Sequence, residues 1–415
     1  MQRIRMSLPY FNNFGWEASV ATVHPQHSNL VKDELLIEAV PKNIRIINID
    51  AFSTKWTRKL GFGSLALRSM LYYKHSIDKL LANEKFDLIY FSTTEFPLLI
   101  LGRHWKRKFG IPFVIDMQDP WHSDYYQNKP RQERPRKHWF SYRLNKWLEP
   151  KAMQMVDGLI SVSQGYLDAL CSRYPRLITV PQRVITFSAF EPDIKVMQKH
   201  ANTFVLPFQK LAKNYHFVYV GRGGHDLQLS ARLLFDGFKK GLEEAPELFT
   251  KVRFHFLGTS YAPKGQGKPT ILPVASEFGL TNYVEEQTDR LPYYQTLYTL
   301  SNADHLVILG SDDPQYTASK VFPYLLSKIP ILAFFHSKSS AAQIIEKCGA
   351  GKVIPIDSHG DTLKDLVYQY LHDLLRAQMP SHSINWKAFE PYLAPEMCKQ
   401  QCIIFTDVIR QFNNA

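Results

Sequence analysis

The pattern that most restricts this chain is an apolar strand that breaks into a polar turn, followed by a helix and a second apolar strand. It is cleanest between Asp304 and Phe334, in DHLVILGSDDPQYTASKVFPYLLSKIPILAF. The run Leu306 to Leu309 stops at Gly310 in an acidic turn, Thr317 and Ser319 offer N-caps for a helix expected to end near Lys328, and a second run follows Pro330. This is a βαβ unit. Open α/β sheets bind ligands outside the carboxyl ends of their strands, which is where the polar loop falls. The helix start is a candidate anion site, since backbone N–H groups near residues 319–321, the positive end of the helix dipole and the ammonium of Lys320 converge there. An ordinary capped helix with a solvated lysine has the same spacing, so the rest of the chain has to decide.

The same alternation runs through the sequence. An amphipathic helix is expected over residues 1–13, strands at 17–23, 44–49, 87–92, 113–116 and 157–162, and helices at 65–83, 98–109 and 164–173. Between about residues 181 and 213 the alternation weakens, with no clear period over 191–202, and the domain linker is expected there. A second series follows, with strands at 216–220, 252–257, 283–286, 306–309 and 352–356 among helices at 227–242, 292–301 and 339–347. The expected fold class is therefore α/β, with two Rossmann-like domains of doubly wound parallel sheet over 1–200 and 201–390 and a C-terminal helix over 391–415 able to cross back.

Composition narrows the function classes. No apolar run approaches the eighteen or so residues that a membrane span requires, and the N-terminal MQRIRMSLPY lacks the apolar core of a secretory signal, so a cytoplasmic protein is expected. Four scattered cysteines (Cys171, Cys348, Cys398, Cys402) read as free thiols. A net charge of +12 asks for an acidic partner. Basic residues cluster at Lys55, Arg58 and Lys59, at Arg103 and Lys106 to Lys108, and from Lys129 through Lys146, interleaved with Trp56, Trp105, Trp139, Phe140, Tyr142 and Trp147. That mixture suits the anionic inner face of a cell membrane, with a solvated basic face as the plain alternative. No nucleic-acid-binding module is recognisable, and nucleic acid is not expected as a partner.

Several strand ends carry residues able to do chemistry. Gly221, Arg222, Gly223, Gly224 and His225 follow the first strand of the second series; glycines permit close backbone approach and an arginine fork suits a diphosphate. Gly258 and Thr259 end the next strand, where a simple turn is an equal reading. In the first domain Asp119 and His122 follow a strand and have pKa values usable for proton transfer, although Asp119 before Pro120 and His122 also fit structural roles. Thr93, Thr94 and Glu95, within FSTTEFP, offer contacts to acceptor hydroxyls or a helix cap. Asp312 and Asp313 alone make too incomplete a shell for a metal, and none is expected.

Taken together, VGRGGHD (220–226), FLGTSYAP (256–263), TDRLPY (288–293), GSDDPQYTASKVFPYLL (310–326), RIRMSLPYF (3–11), GWEASV (15–20) and IDMQDPW (115–121) resemble the family 4-like glycosyltransferases of bacterial surface-polysaccharide pathways. The resemblance implies the GT-B architecture, a nucleotide-diphosphate sugar as donor in the C-terminal domain, and a lipid-linked or glycan acceptor in the N-terminal domain. It also implies a retaining reaction without a bound divalent metal or other cofactor. By position, Arg222 and Lys320 would hold the diphosphate and Asp119 would lie on the acceptor side. Two departures stand out. The positions of the family's paired glutamates, counted back from Pro330, hold Gln315 and Pro323, and the strand that should precede RIRMSLPYF is missing from the start. The first departure keeps a non-catalytic GT-B-like scaffold as the alternative function.

Overall fold

The computed structural model describes residues 2–28, 33–57, 63–122, 138–312, 319–358, 362–376 and 384–414, with 124, 127, 134 and 314. They form two compact units. The first comprises residues 1–32, 40–187 and 394–415, and the second 33–39 and 188–393.

In the first unit, β1 (Ser19–Val23) and β2 (Arg45–Ile49) make a parallel pair. Strands β3 (Ile89–Phe91), β4 (Phe113–Met117), β5 (Gly158–Ser161) and β6 (Gln182–Val184) make a separate four-stranded parallel sheet. Phe113, Ile115, Leu159 and Trp121 anchor its core, and Gly102 of the Ile100–Phe109 helix has no side chain because any Cβ would strike the Phe113 ring. That helix ends at Gly110, whose φ of 69° lets its N–H return to the Lys106 carbonyl. The Leu65–Asn83 helix falls where its period predicts, with the Ser64 hydroxyl accepting from the Leu67 N–H. The Ala394–Asn413 helix packs into this unit, with Val408 seated over Gly158 of β5.

The second unit holds β7 (Tyr215–Val220), β8 (Val252–Leu257), β9 (Val284–Gln287), β10 (His305–Leu309), β11 (Ile331–Phe335) and β12 (Gly351–Pro355). All are parallel, in the order β12-β11-β10-β7-β8-β9. Helices on both faces explain why these strands read as continuous apolar runs. Phe217, Phe235, Phe238, Phe254 and Phe256 fill the core.

Three expectations are corrected. Residues 1–13 are not one helix: Pro9, which has no N–H to continue it, follows a short helix, Gln2–Ser7, and a separate 3-10 turn spans Phe11–Phe14. The expected linker holds β6 and a helix, Glu191–Lys199. No apolar period announces this helix because its fixing contacts are tertiary. Val196 and Met197 pack on Tyr294 and Leu297, and the buried Asp193 carboxylate accepts from the hydroxyls of Tyr293 (2.8 Å) and Tyr294 (2.9 Å). Finally, the helix after β10 is shorter than expected, Val321–Leu326, and Ser319 does not cap it: Lys320 occupies the cap position with no side-chain hydrogen bond to the helix.

Candidate functional site

The sheet of the second unit has its switch point at β7. From there the chain moves outward through β8 and β9, then returns to lay β10 on the other side of β7. Diverging connections leave a crevice at the carboxyl ends of those two strands, the place where open sheets bind ligands.

Lys320 bridges that crevice. Its Nζ donates to the Tyr219 hydroxyl on β7 (2.7 Å) and to the Leu309 carbonyl on β10 (3.0 Å). Loss of hydration pulls its pKa down to about 7; the Arg222 cation pushes the same way, Asp226 opposes, and Arg290 adds to the lowering. Near neutrality this lysine is only partly charged, and an anion beside it would restore the charge. Tyr219 is fully buried and passes the contact on, its hydroxyl donating to the Arg222 carbonyl at 2.7 Å.

The glycine turn is shaped for close approach. A Cβ on Gly221 would lie 2.9 Å from the Tyr219 hydroxyl, and Gly224 has a φ of 144° that other residues avoid. Arg222 Nη1 donates to Asp226 Oδ1 at 2.8 Å, an interaction that holds the Asp226 carboxyl below its usual range. His225 is exposed on the turn. Gly258 takes a φ of 71° at the end of β8. Thr259 is buried, and its hydroxyl is committed to Glu286 Oε1 at 2.6 Å. Glu286 also accepts from the N–H groups of Thr270, Ile271 and Leu272 and so ties down the Leu272–Glu277 helix. Thr317 and Gln315 lie outside the described residues. Pro323 sits in the first turn of the Val321–Leu326 helix, where a missing N–H leaves no bond unmade.

In the first unit the end of β4 is built on a buried ion pair. Arg3 Nε lies 2.9 Å from Asp116 Oδ2, with both side chains fully buried. The Arg3 guanidinium also donates to the carbonyls of Ile185 (2.7 Å) and Thr186 (3.0 Å). Asp116 further accepts from Tyr90, Ser92 and Gln118. Asp119, three residues on, is exposed, and partial desolvation raises its carboxyl pKa. His122 is buried against Tyr142, with 4.8 Å between ring centroids. Burial, followed by the nearby Arg173 cation, lowers its pKa and leaves the ring neutral. Its backbone N–H donates to Glu149 Oε2 at 3.0 Å, and Glu149 is held by Arg173 and the Tyr174 hydroxyl, both at 3.0 Å. Glu95 accepts from the Ala66 N–H at 2.9 Å, at the start of the Leu65–Asn83 helix, and Thr93 accepts from the Glu95 N–H at 3.0 Å. Thr94 is exposed beside them.

Sequence reasoning missed Arg3, Tyr219, Glu286 and Glu149. The usable signal was a charged or hydroxylated residue within an otherwise apolar stretch, as with Tyr219 in HFVYV.

Residues 35–185 match the sequence model described as Glycosyltransferase Family 4, an enzyme family of hexosyltransferases. No curated relative matches the sequence. Among solved structures, the chain is similar to WaaG, a glycosyltransferase involved in lipopolysaccharide biosynthesis, at 14% identity and a TM-score of 0.53, covering 97% of this chain and 94% of that one. HepE from Anabaena, solved with UDP and glucose, is similar at 15% identity and a TM-score of 0.53, with 99% and 95% covered. A trehalose 6-phosphate synthase from Burkholderia multivorans gives 12% identity, a TM-score of 0.53, and 82% and 75% covered. At such identities the likeness is one of fold, the GT-B arrangement of two parallel α/β sheets. The matched segment holds Thr93, Thr94, Glu95, Asp119 and His122, while the glycine turn and Lys320 lie beyond it.

Proposed function

We propose that this chain is a glycosyltransferase that transfers a hexose from a nucleoside diphosphate sugar to a hydroxyl of a lipid-linked or polysaccharide acceptor, a reading supported by the family 4 match over residues 35–185. The second unit takes the donor and the first the acceptor. The observation that carries the reading is Lys320, half-buried at the switch point between the ends of β7 and β10 with Arg222 and Arg290 acting on its charge.

In the reaction the bond from the sugar C1 to the diphosphate oxygen breaks and a bond from C1 to the acceptor oxygen forms. The acceptor proton leaves with the diphosphate or through a base. Negative charge grows on the leaving group, where Lys320 and Arg222 stabilise it. Asp119, exposed and with a raised pKa, is the acceptor-side group offered for the proton. The buried, neutral His122 has a positioning role beneath it rather than direct contact. UDP is the proposed carrier, by analogy with the nucleotide in HepE, and retention of anomeric configuration follows the family resemblance.

The test is incubation with UDP-sugars, with the anomeric product read by NMR and UDP binding read by calorimetry. Transfer that disappears in Lys320→Gln while the protein stays folded supports the proposal. Tight UDP binding with no transfer or hydrolysis across donors favours the non-catalytic scaffold, and no UDP binding removes the donor site altogether.

A lipid-linked acceptor would place the enzyme on the cytoplasmic face of a membrane. Among the described residues no helix is long and apolar enough to cross one. The His138–Met153 helix supplies a surface contact instead, because Trp139 (65% exposed) and Trp147 (61%) stand two turns apart on one face with Arg143 between them. The Lys151 ammonium sits 3.2 Å from the Trp147 ring centroid. The other expected clusters contribute less: Trp105 is buried in the core, and Lys106 and Lys108 are paired with Asp157 and Asp78. Arg58, Lys59 and residues 129–133 and 135–137 lie outside the described residues. Phosphatidylglycerol vesicles should retain the protein and phosphatidylcholine vesicles should not, and Trp139→Ala with Trp147→Ala should weaken retention by about tenfold or more. Equal retention by both lipids would remove this contact.

A further inference from the structure

The loop after β4 that carries Asp119 and His122 is fastened to the His138–Met153 helix by three side chains on one stripe. Tyr142, Asn145 and Glu149 stand three and four residues apart, the spacing that places side chains on one face of a helix. Each bonds a different residue in or beside the loop. The Tyr142 hydroxyl donates to Asp124 Oδ1 at 2.7 Å, the Trp121 indole N–H donates to Asn145 Oδ1 at 3.2 Å, and the His122 backbone N–H donates to Glu149 Oε2 at 3.0 Å.

Glu149 is the unusual member. Its side chain is fully buried, and burial raises its pKa while the Arg173 cation opposes. A buried carboxylate is a poor source of stability, because its desolvation offsets much of what its partners return. What this one supplies is direction. Oε2 takes the loop amide, and Oε1 takes Arg173 and the Tyr174 hydroxyl, both at 3.0 Å, at the end of the Gln164–Arg173 helix. The loop is thereby set against a second element of the unit through a backbone bond, which fixes the course of the chain whatever side chains the loop carries.

Trp121 extends the support. Its side chain is buried and stacks on the Phe96 ring, with 5.7 Å between centroids and 15° between planes. Phe96 directly follows Glu95, which is itself fixed by the Ala66 N–H. The segments that follow β3 and β4, which carry every acceptor-side residue named above, therefore share one brace. We infer that Asn145 and Glu149 are positioning residues of the acceptor side: they fix the 119–122 loop, and through Trp121 the 93–95 turn, in the arrangement that receives the acceptor hydroxyl. This rests on the sugar-transfer reading above, and both residues act through the loop rather than on the substrate.

Kinetics and one NMR titration test it. Glu149→Ala should lower kcat for transfer by about a hundredfold, the usual cost of shifting a positioned group by about 1 Å. Affinity for UDP, which belongs to the second unit, should stay within about twofold. Glu149→Gln, whose carbonyl still accepts from the His122 N–H, should recover kcat to within about tenfold of the unaltered protein. Asn145→Ala, which leaves the buried carboxylate in place, should lower kcat by about five- to tenfold.

The titration follows the Asp119 carboxyl, whose pKa is raised by partial desolvation. A loosened loop admits water, so in Glu149→Ala this pKa should move back down toward the ordinary aspartate value, and the acid limb of the kcat profile should move with it. Glu149→Gln removes the same charge but keeps the bond, and should leave the Asp119 pKa where it is. The other charges acting on the loop at His122, from Arg173, Asp124 and Lys146, are the same in both variants. Equal shifts in the two variants would make the effect one of charge and overturn the inference. It is also overturned if Glu149→Ala keeps full kcat, or if both alanine variants lose exchange protection throughout the first unit, which would make the residues structural. No transfer by the unaltered protein with any UDP-sugar would remove the transfer reading instead; the titration then decides the brace by itself, and an unmoved Asp119 pKa in Glu149→Ala overturns it.

Discussion

The two units differ in one respect that explains much of the rest of the molecule. The second unit lays its six strands side by side, and β7, β10 and β11 are buried along almost their whole length. The first unit has the same number of strands but divides them into a pair and a foursome, and β1, β2 and β3 are only half buried or exposed along most of their length. A parallel strand is held by its neighbours on both sides, and where one is lacking the loss appears in burial before it appears in shape.

Substitutions make the contrast measurable. The largest effect is expected in the closed sheet: Phe254→Ala, at a position 1% exposed, should lower stability by about 3–5 kcal/mol, read as lost exchange protection and an earlier urea midpoint for the second unit. Val20→Ala on the open-edged β1 should cost less than about 1 kcal/mol in the first unit. Comparable losses would mean that β1 is packed as tightly as the strands of the second unit. Next in size is Lys320→Gln, which removes a charged hydrogen-bonding group from the switch point of the closed sheet. It should weaken UDP binding by about ten- to a hundredfold, or about 1.5–3 kcal/mol, with little effect on the first unit. Unchanged calorimetric affinity would move the donor site elsewhere.

The smallest expected effect is one of pH. Lys320 in the free protein loses its proton above about 7, and a diphosphate favours the charged form, so binding above that pH must take up a proton. Affinity for UDP should therefore fall as pH rises from about 7 to 9, by at most about tenfold per unit, and Lys320→Gln should flatten the slope. Calorimetry in two buffers of different ionisation enthalpy reads the proton directly. Uptake that persists in Lys320→Gln would assign it to another group.

Legibility in the sequence did not follow that division, since β1 to β5 of the first unit were expected where they fall and the Glu191–Lys199 helix of the second was not. In the second unit nearly every strand and helix was visible, because buried parallel strands are continuous apolar runs and their helices have clear periods. The glycine turn was visible because glycine is needed where a Cβ would meet Tyr219. What stayed hidden depends on contacts made far along the chain. The Glu191–Lys199 helix is fixed by Tyr293 and Tyr294, about a hundred residues on, and Arg3 reads as an ordinary basic residue until Asp116 and the carbonyls of Ile185 and Thr186 surround it. Lys320 was found, but the reason offered for it was incomplete. The expected helix dipole is a minor feature of so short a helix, and the bridge from β7 to β10 is what singles the lysine out.

The Ala394–Asn413 helix carries a consequence for how the protein is made. It follows the whole second unit in sequence, yet Val408 packs on β5 and Gln401 accepts from the Ser7 hydroxyl within the first. A ribosome therefore delivers the final piece of the first unit last, after residues 188–393 have emerged and had time to collapse. The unit that begins the chain is the one that must wait, and through that delay a nascent β1–β2 pair and its neighbour sheet stand open to chaperones, or to each other in neighbouring chains on the same message.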